Sequence, residues 1–181
     1  MKYILFLRGI NISGKNKISM PLLKTFLQEN GFKNVITYIN SGNIIFESEI
    51  TSKDILSQKV FNVIKEKFNL EIPVYVTTEN ELNNVVNNSP AWWDTGDKNI
   101  YNNLIFIIPP ATYKEIYATV GTPSKDIDVI MENNNHIFWS FDLKNYRKSN
   151  WWIKTASTEI KDKITIRTAN TVKKVLELCK K

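Results

Sequence analysis

Val35-Ile36-Thr37-Tyr38-Ile39-Asn40-Ser41-Gly42-Asn43-Ile44-Ile45-Phe46-Glu47 reads as two apolar strands, Val35–Ile39 and Ile44–Glu47, around a polar turn. In that turn Gly42 or Asn43 is expected at positive φ, with Ser41 or Asn40 closing side-chain hydrogen bonds. The hairpin decides the fold because a helical pattern lies on either side of it. Upstream, Ser19 suits a cap, Pro21 a first turn, and Leu22, Leu23, Phe26 and Leu27 one apolar side, with Asn30-Gly31 as the stop. Downstream, Leu56, Val60, Val63, Ile64 and Phe68 recur at helical spacing from about Ser52 to Phe68. The unbroken apolar run Tyr3–Leu7 is a strand covered on both faces, and Val74–Thr77 closes the unit.

The order is therefore β-α-β-β-α-β, a split βαβ or ferredoxin-like unit. The second half repeats the order without repeating the sequence. Leu104–Ile108 reads as a strand, Thr112–Val120 as a short helix ended by Gly121, and Ile127–Met131 with His136–Phe141 as a hairpin around Glu132–Asn135. A helix from about Asn150 to Ile160, a short strand Ile164–Ile166 and a last helix carrying Val172, Val175, Leu176 and Cys179 complete it. The expected fold class is α+β: two ferredoxin-like halves in one chain, antiparallel sheets with helices on one face. The expected subdomains are 1–78 and 101–181, joined by a helical and loop connector over 79–100.

Net charge is +6 but unevenly spread. Residues 1–28 sum to +5, residues 29–143 to −7 and residues 144–181 to +8. Two basic ends suit an anionic partner, nucleic acid or a phosphorylated small molecule; a solvated lysine-rich surface is the plain alternative. No apolar run approaches the ~18 residues of a membrane span. Met1-Lys2 and the run Tyr3–Leu7 ahead of Arg8 are too short for a signal h-region, so no membrane partner and a cytoplasmic location are expected.

Most catalytic constellations lack their parts. One histidine, His136, argues against a multi-histidine metal site and weakens any triad; opening a strand after Asn133-Asn134-Asn135, it is expected at an exposed hairpin position. The single cysteine, Cys179, sits at core spacing, where a buried inert thiol is the default. Asp126 and Asp128 fall on one strand face, as solvated surface acids usually do. No metal and no cofactor are implied, and no enzyme motif is recognisable.

Three polar motifs remain. Gly9 to Lys15 spells G-x-x-x-x-G-K after a buried strand, but Asn16 stands where a P-loop needs Ser or Thr, and the helix starts too late, near Met20-Pro21. A broader reading survives, in which the glycines turn backbone N–H groups toward an anion and Arg8, Lys15 and Lys17 add charge; the alternative is a purely structural connection. The second motif is the turn with Ser41 and Asn43. The third is Thr165-Ile166-Arg167-Thr168-Ala169-Asn170-Thr171, where Thr168 or Asn170 can cap the last helix and Arg167 stands at its mouth. Trp92-Trp93 suits a plug between halves, whereas Trp151-Trp152, among Arg147, Lys148 and Lys154, suits either base stacking or a packed helix face.

Taken together, Leu7–Asn11, Gly14–Lys17, Thr37–Asn43 and the terminal Thr165-x-Arg167-x-x-Asn170-Thr171-Val172 resemble the family called domain of unknown function 1697. That family's terminal motif usually reads T-x-R-N-W-N-T; Thr168 and Ala169 stand here for its Asn and Trp. The resemblance implies two ferredoxin-like halves and brings no activity, substrate or cofactor. The motif residues that match are Arg8, Asn11, Lys15, Asn16, Ser41, Asn43, Arg167, Asn170 and Thr171. With Lys17 they form the candidate ligand-binding set. The leading expectation is a binding module with one basic polar cleft for a phosphate-bearing ligand, nucleic acid included. The strand Asn43-Ile44-Ile45-Phe46 lacks the aromatic pattern of an RNA-recognition motif. The alternatives are an enzyme acting on a phosphorylated or carboxylated metabolite, and a self-associating protein whose oligomeric state the sequence leaves open.

Overall fold

The structure is a computed structural model describing residues 1–157 and 159–180. It divides into two compact units, one comprising Met1–Asn83 and the chain from Lys174 onward, the other Asn84–Lys173. The chain is a mixed α+β protein of two similar halves, each built on a four-stranded antiparallel sheet.

In the first unit β1 (Lys2–Leu7) runs antiparallel to both β3 (Asn43–Glu47) and β4 (Val74–Thr78), and β2 (Lys33–Tyr38) lies beyond β3. The strand order is β2-β3-β1-β4. Tyr3 to Leu7 are all fully buried, so both faces of β1 are closed to solvent, as its unbroken apolar run requires. Helices α1 (Met20–Glu29) and α2 (Lys53–Phe68) cover one face, burying Met20, Leu23, Leu27, Leu56, Val60, Val63 and Ile64 against Tyr3, Leu5 and Leu7. Leu22, expected on that apolar side, is exposed instead; the stripe follows Met20, Leu23 and Leu27 at i, i+3 and i+7. Helix α2 is capped by Ser52, which accepts from Ile55 N, and ends at left-handed Asn69.

Helix α3 (Glu79–Asn87) opens with a reciprocal cap: Glu81 N donates to Thr78 Oγ1 and Thr78 N donates to the Glu81 carboxylate. Lys53 reaches the same carboxylate at 2.6 Å. Burial pushes the Glu81 carboxyl up, but the bonds from Lys53, the Thr78 backbone and the Thr77 hydroxyl outweigh it and hold the group at about 2.

The second unit repeats the plan with β5 (Ile100–Ile107), β6 (Asp128–Asn133), β7 (His136–Asp142) and β8 (Ile164–Thr168) in the order β6-β7-β5-β8. Helices α4 (Tyr113–Val120) and α5 (Asn150–Ser157) pack their apolar side chains into its core. The helix expected over 150–160 is seen as α5; Thr158 lies outside the described residues, and so does Lys181 at the end of the expected second subdomain. Helix α6 (Ala169–Cys179) closes the chain, and Lys2 on β1 donates through Nζ to the Cys179 carbonyl. Among the described residues no helix is long and apolar enough to cross a membrane.

Two polar residues sit deeper than expected. His136 is buried, edge-on to Phe106, with Nδ1 at 2.8 Å from the Asn134 carbonyl. Asp128 is not a solvated strand acid. It accepts from Trp139 Nε1 (3.0 Å), Ser149 Oγ (2.6 Å) and Ser124 N (3.1 Å), tying the sheet to the start of α5.

Two outcomes follow from these networks. Asp128→Ala leaves two buried donors and the half-buried Ser124 N without this acceptor and is expected to cost about 2–4 kcal/mol in urea unfolding. Glu81 titrates below its ordinary 4.5, so its stabilisation is complete above that value and fades as pH falls toward about 2. Glu81→Gln is therefore expected to lower the unfolding midpoint at neutral pH, where the carboxylate is fully ionised, and to flatten the acid limb so that the gap from the wild type closes as pH falls toward about 2.

Candidate functional site

The loop between β1 and α1 is built by its asparagines. Ser13 and Gly14 both have positive φ, and Lys15 N donates to Ile12 O (2.9 Å), so the tip is a tight hairpin turn. Asn11 N donates to Asn16 O, and the Asn16 side chain returns to Gly9 O at 3.0 Å. The Asn11 side chain clamps the loop exit, accepting from Ile18 N and donating to Ile18 O, each at 2.9 Å. The same amide donates to Asn40 O at 2.9 Å, which joins the loop to the β2–β3 turn. The N–H groups of Asn11 and Lys15 are thus spent inside the loop, and α1 begins only at Met20, well after the Gly14-Lys15 pair where a P-loop helix would start.

The β2–β3 turn is closed by Asn43, whose side chain donates to Tyr38 O and to Ser41 Oγ, both at 3.0 Å. Gly42 has φ +78, as expected; the second turn residue at positive φ is Ile39 (φ 49) and not Asn43. A β-branched residue in the left-handed region is strained, and Ile39 is 51% exposed. The strand β2 therefore ends at Tyr38, one residue short of the expected Ile39.

Between the loop, the turn and the first residues of α1 lies a surface groove of about 410 Å³, lined by Asn11, Gly14, Lys17, Ser19, Pro21 and Asn40 among others. Sequence reasoning named Ser19 as a cap and Asn40 as a turn residue; it did not see that they share a groove with Lys17. Ser19 makes no capping bond, Pro21 occupies the first turn, and no acid lies there. The other helices start differently: Ser52, Thr78, Thr112, Ser149 and Thr168 each accept from an N–H in the first turn. Lys15 and Lys17 are exposed, and neither takes part in an ion pair among the described residues. Arg8 is half-buried, its N–H donating to Pro73 O at 3.1 Å.

Arg167, Asn170 and Thr171 lie in the second unit. Arg167 is only 7% exposed and donates through Nη1 to Thr165 Oγ1 (2.9 Å) and Ile166 O (2.8 Å). Thr168 caps α6 by accepting from Thr171 N, while Asn170 is exposed. Cys179 is 1% exposed, and burial pushes its thiol up to about 11, with Glu79 adding to the shift and Lys2 opposing it. Among the described residues no group of three or more His, Cys, Asp or Glu side chains could hold a metal.

The family model described as "Protein of unknown function (DUF1697)" matches residues 1–138, which takes in the loop and turn motifs and stops short of the terminal one. No curated protein matches the chain. The fold is similar to the solved structure of conserved bacterial protein SP0830 from Streptococcus pneumoniae, with a TM-score of 0.85 and 29% identity over 98% of this chain and 97% of that one.

Relief of the strain at Ile39 is directly measurable. Ile39→Asn places a residue that tolerates the left-handed region there and is expected to raise the unfolding free energy by about 1 kcal/mol. A loss of stability instead would show that the half-exposed isoleucine packs well enough to offset its backbone.

Proposed function

The chain belongs to the DUF1697 family, and we propose that it is a binding module whose first-unit groove takes a phosphate-bearing anion. One observation carries this reading: the groove sets Lys17 at a helix start that no side chain caps and no acid in the first turn neutralises, with Lys15 exposed two residues earlier and neither lysine in an ion pair among the described residues. Opening N–H groups of a helix attract anions, and charge-assisted bonds from lysine are about twice as strong as neutral ones. The surrounding field favours the same sign, since residues 1–28 hold five cations and no acid.

In this reading the asparagines are scaffold. Asn11, Asn16 and Asn43 hold the loop and turn in place, Ser41 and Arg8 flank them, and Lys15, Lys17 and Ser19 meet the ligand. Arg167, Asn170 and Thr171, at the start of α6 in the second unit, are not among the residues lining the groove. We read each half as a ferredoxin-like unit and the setting as cytoplasmic, where phosphorylated metabolites and nucleic acid are both at hand. The groove lining holds no carboxylate, imidazole or thiol, and Lys17 is its one ionisable side chain, which favours binding over turnover.

Titration calorimetry with inorganic pyrophosphate at low ionic strength tests the groove. Binding is expected to weaken with added salt and to fall about tenfold or more in Lys15→Gln/Lys17→Gln. Equal affinity in the double variant would remove the groove from the account.

A further inference from the structure

We propose that the second unit carries a separate stacking surface for single-stranded nucleic acid, centred on Trp152. Its core is a run of ring contacts. Tyr101 meets Phe141 at 5.3 Å, Phe141 meets Trp152 at 5.5 Å, and Trp152 meets Tyr146 edge-on at 5.1 Å. The run ends in a cation: the Arg147 guanidinium lies 5.7 Å over the Tyr146 ring and donates through Nε to its hydroxyl at 3.1 Å.

Trp152 differs from the tryptophans packed in the core. Trp93, Trp139 and Trp151 are buried and spend their indole N–H groups on Asn103 O, Asp128 and Gly121 O. Trp152 is 40% exposed, its indole N–H has no acceptor among the described residues, and Tyr101 is 36% exposed at the other end of the run. The platform is nonetheless rigid. Trp152 N donates to Ser149 Oγ at 2.8 Å, and that fully buried serine donates to Asp128. A base can therefore stack without ordering the protein first.

Charge selects the partner. From Lys144 to Lys154 the chain holds four cations and no acid, and Lys144, Arg147 and Lys148 take part in no ion pair among the described residues. The exposed indole face, flanked by these cations, offers stacking and charge together. An unpaired nucleic acid uses both parts, its bases on the rings and its phosphates on the cations. A duplex hides its base faces and cannot use the rings.

The test is fluorescence anisotropy of a labelled oligothymidylate of about ten nucleotides across a salt series. The wild type is expected to bind at low salt and to lose affinity as salt rises. Trp152→Ala should weaken binding about tenfold, Trp152→Phe should stay within about threefold of wild type, and Arg147→Gln should shallow the salt slope. Thermal melting separates a folding defect in Trp152→Ala from a lost contact, and the exposed Arg147→Gln gives the charge arm independently. Lys15→Gln/Lys17→Gln should leave oligothymidylate binding intact, which keeps this surface distinguishable from the first-unit groove. Equal affinity for Trp152→Ala and Trp152→Phe would overturn the proposal. So would a wild type that ignores the oligonucleotide but sediments as a dimer through Trp152.

Discussion

The approach of Gly42 to Leu7 is the contact on which the first unit's polar surface depends. Leu7 N donates to Gly42 O at 2.9 Å, and a Cβ on Gly42 would sit 2.6 Å from Leu7 Cβ and 3.0 Å from Ile10 Cδ1. Only glycine allows that closeness, and its φ of +78 is one that other residues avoid. Because the turn lies against the end of β1, Asn40 O comes within reach of Asn11. Because Asn11 is held there, it can clamp Ile18 and set where α1 begins. A methyl group at one backbone position would push apart both walls of the groove.

That chain of dependence changes the meaning of the polar motifs. Polar signatures suggest a site, yet the amides of Asn11, Asn16 and Asn43 are spent within the loop and the turn, Asn11 also bridging the two through Asn40 O. They do the work that a longer helix or strand would do elsewhere, satisfying backbone groups in a connection without regular structure. What they leave outward-facing is the lysines of the tip and the bare start of α1. A motif can thus be specific to a family because its polar residues hold a loop and a turn in one arrangement.

Periodicity made most elements legible, and the departures have local causes. The long helix α2 and the buried run of β1 were readable because their apolar spacing is unambiguous. The strand β5 starts at Ile100, earlier than Leu104, because Asn102 and Asn103 read as loop residues. In the fold Asn102 accepts from Ser140 Oγ, and the Asn103 carbonyl accepts from Trp93, so tertiary partners offset poor strand propensity. Trp93 packs edge-on to Phe138 at 5.0 Å, inside the second unit. Asp128 was unreadable for the opposite reason: its three donors come from residues 124, 139 and 149, and no local pattern announces such a meeting. The groove was half legible, since Lys17 and Ser19 are visible in the sequence but their convergence with Asn40 depends on Gly42.

The two halves share a topology, and the difference between them supports where the groove is placed. In the second unit the first strand ends at Ile107 and the first helix begins at Tyr113, so the connection has no room for a tip. Its helix also supplies its own anion. Glu115 accepts from Thr112 N at 2.7 Å while Thr112 caps the helix, and those bonds hold the Glu115 carboxyl below its ordinary range. In the first unit the corresponding connection runs from Arg8 to Ser19 and carries two lysines that form no ion pair among the described residues, and the first turn of α1 holds no acid. One architecture therefore exists here in two electrostatic forms, one whose first helix carries its own carboxylate in the opening turn and one whose first helix carries none. An acid engineered into the first turn of α1 would convert the second form into the first, so the identity of those few residues, and not the fold they share, sets the charge at each helix start.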